Sequence, residues 1–101
     1  MTNTTERHNL RTAHDAIARR VDFKCNGTLE GILGASRGMG RLPEHWHARF
    51  LTAMDASDRY FVYSYNTPIA WFANGQWFVP EVKYSVTTSR HQTTVKRGIN
   101  L

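Results

Sequence analysis

The sequence predicts an α+β domain, and three observations predict it. Apolar residues recur at spacings of three and four near the amino end, and an Asn-Gly dipeptide further on separates two aromatic runs. Apolar residues make up 41% and charged residues 21% of the chain, a composition that packs a core. The 101 residues suit one domain, divided into an amino-terminal helix over 5–21, an α+β core over 22–92 and a partly ordered tail over 93–101.

The first helix rests on Leu10, Ala13, Ile17 and Val21, which form one apolar stripe. Asn3 and Glu6 can close a capping box, and Arg11–Asp15 and Asp15–Arg19 can pair at i,i+4. From Val21 the pattern alternates, with Val21, Phe23 and Cys25 on one side and Asp22 and Lys24 on the other. Asn26-Gly27 and a second alternating run over 28–33 complete a short hairpin. Three glycines in residues 34–41 predict a loop, and Pro43 suits a first helical turn. Trp46, Phe50 and Met54, with Leu51, predict a central helix that ends at 55–58.

The remainder predicts an antiparallel sheet of three to four strands, covered on one face. Residues 59–65 form one strand, and Thr67-Pro68 breaks it. Residues 69–73 and 76–79 flank Asn74-Gly75, a two-residue turn that would oppose Phe72 to Trp77 and Trp71 to Phe78. Residues 82–88 alternate Val82, Tyr84 and Val86 against Lys83, Ser85 and Thr87, which predicts a further strand. Phe61, Tyr63, Ile69, Trp71 and Phe78 are expected to form much of the core.

Cys25 is the only cysteine, so no internal disulfide forms, and an unpaired thiol suits a reducing cytoplasm. The first residues lack a signal-peptide apolar region, and no run approaches the ~18 apolar residues of a membrane span. Net charge is +5. Residues 60–101 hold Lys83, Arg90, Lys96 and Arg97 against Glu81 alone, and residues 1–29 hold five cations against three anions. Basic charge at both chain ends suits contact with phosphates.

No arrangement points to catalysis, a metal or a cofactor. Residues 34–41 resemble the cofactor loop of short-chain dehydrogenases, where glycines let the backbone approach a pyrophosphate. Too few residues follow for that fold, and no tyrosine here is followed four positions on by lysine. His45 and His47 are two apart, which sends them to opposite sides of a helix, whereas a zinc pair prefers i,i+4. Cys25 alternates with core positions, and Ser89 and His91 would share a strand face without a carboxylate partner.

Residues 84–92, Tyr-Ser-Val-Thr-Thr-Ser-Arg-His-Gln, gather hydroxyls, a guanidinium, an imidazole and an amide, all able to hold phosphate oxygens. Together with residues 63–71, Tyr-Ser-Tyr-Asn-Thr-Pro-Ile-Ala-Trp, with Trp77 and with Val79-Pro80, they resemble a domain of unknown function. That domain occurs in small proteins of actinobacterial phages, mycobacteriophages among them, and of other mobile elements. The resemblance covers roughly 21–92 and implies a phage accessory protein made in the host cytoplasm, with no assigned activity.

Two functions are expected from these features. One is non-enzymatic nucleic-acid binding through Lys83, Thr88, Arg90, His91, Gln92, Lys96 and Arg97, with an exposed aromatic stacking on bases. The alternative is a protein-interaction module in which Trp71, Trp77 and Phe78 engage a host protein or a second copy of the chain. Neither needs a membrane.

Overall fold

The computed structural model describes residues 5–25 and 28–100. Ten elements follow one another: β1 (Glu6–Arg7), α1 (Ala13–Arg19), β2 (Phe23–Cys25), β3 (Leu29–Leu33), a 3₁₀ turn (Glu44–Trp46) leading into α2 (His47–Ala53), β4 (Tyr60–Ser64), β5 (Thr67–Ala73), β6 (Gln76–Phe78) and α3 (Val86–Gly98). The class is α+β, but the expected architecture is corrected. The strands form one six-stranded mixed sheet in chain order, with β1 parallel to β2 and every other pair antiparallel. Helices cover both faces rather than one.

The amino-terminal helix is far shorter than 5–21. Asn9 Oδ1 accepts hydrogen bonds from the backbone N–H groups of Arg11 and Thr12 at 2.8 and 3.1 Å, a local turn that competes with helix until Ala13. Ahead of that turn, Glu6 is a strand residue. Its carboxylate receives both Arg19 terminal nitrogens at 2.8 and 2.9 Å, so it ties β1 to α1 instead of capping a helix. The left-handed Arg20 (φ 53°) ends α1. The stripe still points inward, with Ala13 and Ile17 buried and Leu10 and Val21 packed beside them. The expected Asp15–Arg19 pair forms at 2.8 Å. Asn3 and the Asn26-Gly27 turn lie outside the described residues.

The carboxyl end carries the largest correction. Residues 82–88 are not a strand, and 93–98 belong to a helix rather than to a loose tail. The chain crosses the sheet and enters a 13-residue helix at Ser85, whose Oγ accepts from Thr88 N–H at 3.1 Å. Thr88, His91, Thr94 and Val95 are the buried positions that set its inner face, at the i, i+3, i+6, i+7 spacing of a helix. Three of these four are polar, so no apolar stripe announces the helix, and the β-branched residues imitate a strand.

Thr67-Pro68 does not break the sheet either. Tyr65 and Asn66 form the turn, both at positive φ (49° and 69°), and β5 begins at once. Pro68 faces Tyr63 where the ladder shifts, at a bulge, one of the few strand positions that tolerate proline. Ile69 is the extra residue, so Ile69 and Ala70 both point to the same core. The Asn74-Gly75 hairpin forms in the expected register, Phe72 opposite Trp77 and Trp71 opposite Phe78. Asp58 holds the turn by accepting from the N–H groups of Asn74 and Gly75 at 2.7 and 2.8 Å. These two bonds pull its carboxyl below the usual range.

Two cores result, one on each face of the sheet. Under α1 and α3 lie Ile17, Phe23, Leu29, Tyr60, Val62 and Val95, and under α2 lie Phe50, Phe61, Tyr63 and Trp71. Ridges of side chains on both faces explain why Tyr60–Ser64 is buried along its whole length. On the α1/α3 side, Gly31 is required: a Cβ there would lie 2.1 Å from the Tyr60 hydroxyl. That hydroxyl donates to the Val21 carbonyl at 2.8 Å.

Candidate functional site

The docking of α3 divides the predicted contact residues into an inner and an outer set. On the inner side, His91 is buried and Ser64 Oγ lies 2.7 Å from its Nδ1, with Thr88 Oγ1 a further 3.1 Å from Ser64 Oγ. This chain of hydroxyls and imidazole fastens the helix to the end of β4. Burial pushes the His91 pKa down, so the ring is neutral and does not meet a phosphate. Gln92 is turned inward as well and donates its amide to the Val82 carbonyl at 2.8 Å. Lys96 faces Glu81 at 3.5 Å on an exposed flank. Thr88, His91 and Gln92 therefore hold the fold rather than a ligand.

The outer set is Arg90 and Arg97, both exposed, with the exposed Thr93 between them and the exposed Lys83 just before the helix. Among the described residues, none of these three cations forms an ion pair. Arg90 and Arg97 are seven residues apart, which places them on one face and about 10 Å apart along the axis. Val86, 73% exposed, begins the same stripe one turn earlier. Residues 86–98 contain no aspartate or glutamate, so no carboxylate of α3 offsets this face.

Tyr65 belongs to this neighbourhood and was missed in the sequence, where it looks like the last residue of a strand. The residue is 52% exposed, and its ring stacks on His91 at 5.8 Å between centroids and 29° between planes. The signal that could have found it is the dipeptide Tyr65-Asn66 lying between two strand-forming runs. Ser89, by contrast, is not brought to His91; Ser64 holds that place.

The aromatics expected to meet a partner are mostly absorbed. Trp71 is fully buried, edge-on to Trp46 and Phe50, and Phe78 stacks on it at 6.0 Å. Trp77 is half-buried against Tyr60 and Phe72. Phe78 keeps one side toward a cleft of about 190 Å³ that it lines with Ala48, Arg49, Thr52, Ala53, Ala73 and Asn74. Leu51 of α2 and Met54, which follows it, are exposed outside this cleft.

The glycine-rich loop over 34–41 is fastened to the sheet. Arg37 N–H donates to the Tyr63 hydroxyl at 2.8 Å and Arg41 N–H to Thr67 Oγ1 at 2.9 Å. The Arg37 guanidinium forks onto the buried Glu30 carboxylate at 2.5 and 2.6 Å. Two backbone donors of this loop are thus already engaged by the protein. Among the described residues, no three of His, Cys, Asp and Glu gather closely enough to hold a metal. Among the same residues, no helix is long and apolar enough to cross a membrane.

A family of unknown function, DUF8033, matches residues 28–99. No curated protein and no solved structure matches the chain. The match begins just before β3 and runs through α3. It therefore includes Tyr65 and the outer face of α3, and leaves out β1, α1 and β2.

Proposed function

The chain belongs to the DUF8033 family, and we propose that it is a non-enzymatic accessory protein that binds nucleic acid through the outward face of α3. Arg90 and Arg97 are the principal phosphate contacts, Thr93 supplies a hydroxyl between them, and Lys83 extends the basic surface to the helix entry. The observation that carries this reading is the stripe itself: two arginines two turns apart on a carboxylate-free helix, exposed and unpaired among the described residues. Lys96 contributes less, because Glu81 already neutralises part of its charge. His91, Thr88 and Gln92 act behind the surface by fixing α3 in place.

An origin in actinobacterial phages or related mobile elements, with action in the host cytoplasm, is part of the proposal. The likeness of residues 63–71 and 84–92 to proteins of that group supports it. A non-enzymatic role is supported by the burial of the Ser64–His91 pair, whose hydrogen-bond partner among the described residues is the Thr88 hydroxyl rather than a carboxylate.

Fluorescence anisotropy with labelled oligonucleotides tests the binding. Affinity falls steeply with salt, since each phosphate contact releases a counterion, and Arg90→Ala and Arg97→Ala each lower the log–log salt slope by roughly one. Binding that is unchanged between low and moderate salt overturns the reading.

A second reading has its own observation. Phe78 lines an apolar cleft, and Leu51 and Met54 are exposed outside it, apolar surface suited to a host protein or a second copy of the chain. A pull-down from nuclease-treated host lysate favours it if one stoichiometric protein remains bound.

A further inference from the structure

We infer that the nucleic acid is single-stranded and that Tyr65 is the platform on which one of its bases stacks. This inference rests on the nucleic-acid reading above and names the substrate class of the same surface. It starts from a residue that the fold has no local reason to choose. Tyr65 and Asn66 are the two central residues of a tight hairpin turn, at φ 49° and 69°. Such turns favour asparagine and glycine, because a bulky side chain at positive φ crowds its own backbone.

The same sheet provides an internal comparison. Its other tight hairpin, between β5 and β6, places Asn74 and Gly75 at φ 53° and 76°, the low-strain choice for this geometry. A tyrosine in the equivalent place therefore answers some other demand, and packing does not supply it, because 52% of the residue remains in water. One ring face lies along the His91 imidazole, 5.8 Å away and tilted by 29°. His91 is itself immobilised by Ser64 at 2.7 Å. The tyrosine ring is thus held at a fixed angle with its exposed part toward solvent.

His91 immediately follows Arg90 in α3, about 100° around the helix, so the residue that carries this ring is one position along the chain from the basic stripe. An aromatic face beside well-spaced cations matches a strand whose bases are free to leave one another and whose phosphates repeat along the backbone. Bases inside a duplex are already stacked and offer no face to a side chain. Every base has a π-face, so the platform accepts many sequences, and the ring itself does not distinguish deoxyribose from ribose.

The decisive variant is Tyr65→Asn, which removes the ring while installing the residue that the turn prefers. Labelled oligothymidylate, oligouridylate and a duplex of the same length serve as probes by anisotropy, with the melting temperature recorded in parallel. Tyr65→Asn is expected to melt at or above the parent and to bind both single strands about ten-fold more weakly. Its duplex affinity should match the parent's, and Tyr65→Trp should keep the single-strand affinity. The two single-strand arms separate a DNA from an RNA partner. Single-strand affinity equal to the parent's overturns this inference while leaving the arginine stripe standing. Lower melting together with an equal loss on duplex makes the ring a structural prop and also overturns it. No salt-sensitive binding of any probe by the parent overturns the nucleic-acid reading itself, and this inference with it.

Discussion

His91 shows how one side chain couples proton binding to the fold. Its ring is neutral and enclosed by Ser64, Thr88 and Tyr65, and burial holds its pKa below the ordinary 6.5. The unfolded chain therefore takes up this proton first as pH falls. The resulting stability is fully present above about pH 6.5 and is lost as pH drops toward the folded-state value. The melting temperature of the parent should fall between pH 7.5 and 5.5, and that of His91→Gln should change less across the same interval. Identical slopes for the two proteins would refute the assignment. Residue chemistry is partly legible here: the hydroxyl- and imidazole-rich run at 84–92 stands out in the sequence. Which of its members face inward was not, because a polar pair such as Thr88 and His91 gives no hydrophobic signal for an inner face.

At the scale of elements, the junction of α1 and α3 is a close contact that sequence patterning does not foresee. Gly98 ends α3 against α1, where a Cβ would lie 2.7 Å from the His14 carbonyl oxygen and 3.1 Å from Ile17 Cβ. Replacing a helical glycine with alanine ordinarily stabilises by about 1 kcal/mol. Here the backbone carbonyl cannot yield easily, and overpacking costs about 1–3 kcal/mol. Gly98→Ala is therefore expected to destabilise by about 1 kcal/mol in urea unfolding, the opposite sign to the usual effect. The β5–β6 hairpin was legible to the register, because Asn74-Gly75 and its flanking aromatics are a local signal. The parallel β1 was not, since two residues carry no period and their partner strand lies beyond an intervening helix. The bulge at Ile69 was equally hidden; it turns the alternation of β5 over midway, which defeats any inside–outside assignment made from one end.

For the molecule as a whole, both cores depend on one sheet, and the family match covers only part of what fills them. Residues 28–99 hold all of the α2-side core, yet Ala13, Ala16, Ile17, Phe23 and Cys25 complete the other from outside that span. The α+β class was readable from the sequence; coverage of both faces was not, because the helix that closes the second face was concealed in 86–98. Cys25 lies at the far end of this portion, buried in β2, with desolvation raising its thiol pKa. The protein thus carries a natural chemical reporter where the amino-terminal segment meets the remainder. A thiol-specific reagent should modify Cys25 no faster than tryptophan fluorescence reports global unfolding, since the β2–β3 ladder, the Tyr60–Val21 hydrogen bond and α1–α3 packing bind that segment to the rest. Faster modification would mean that the first 25 residues detach as a flap while the family core stays shut.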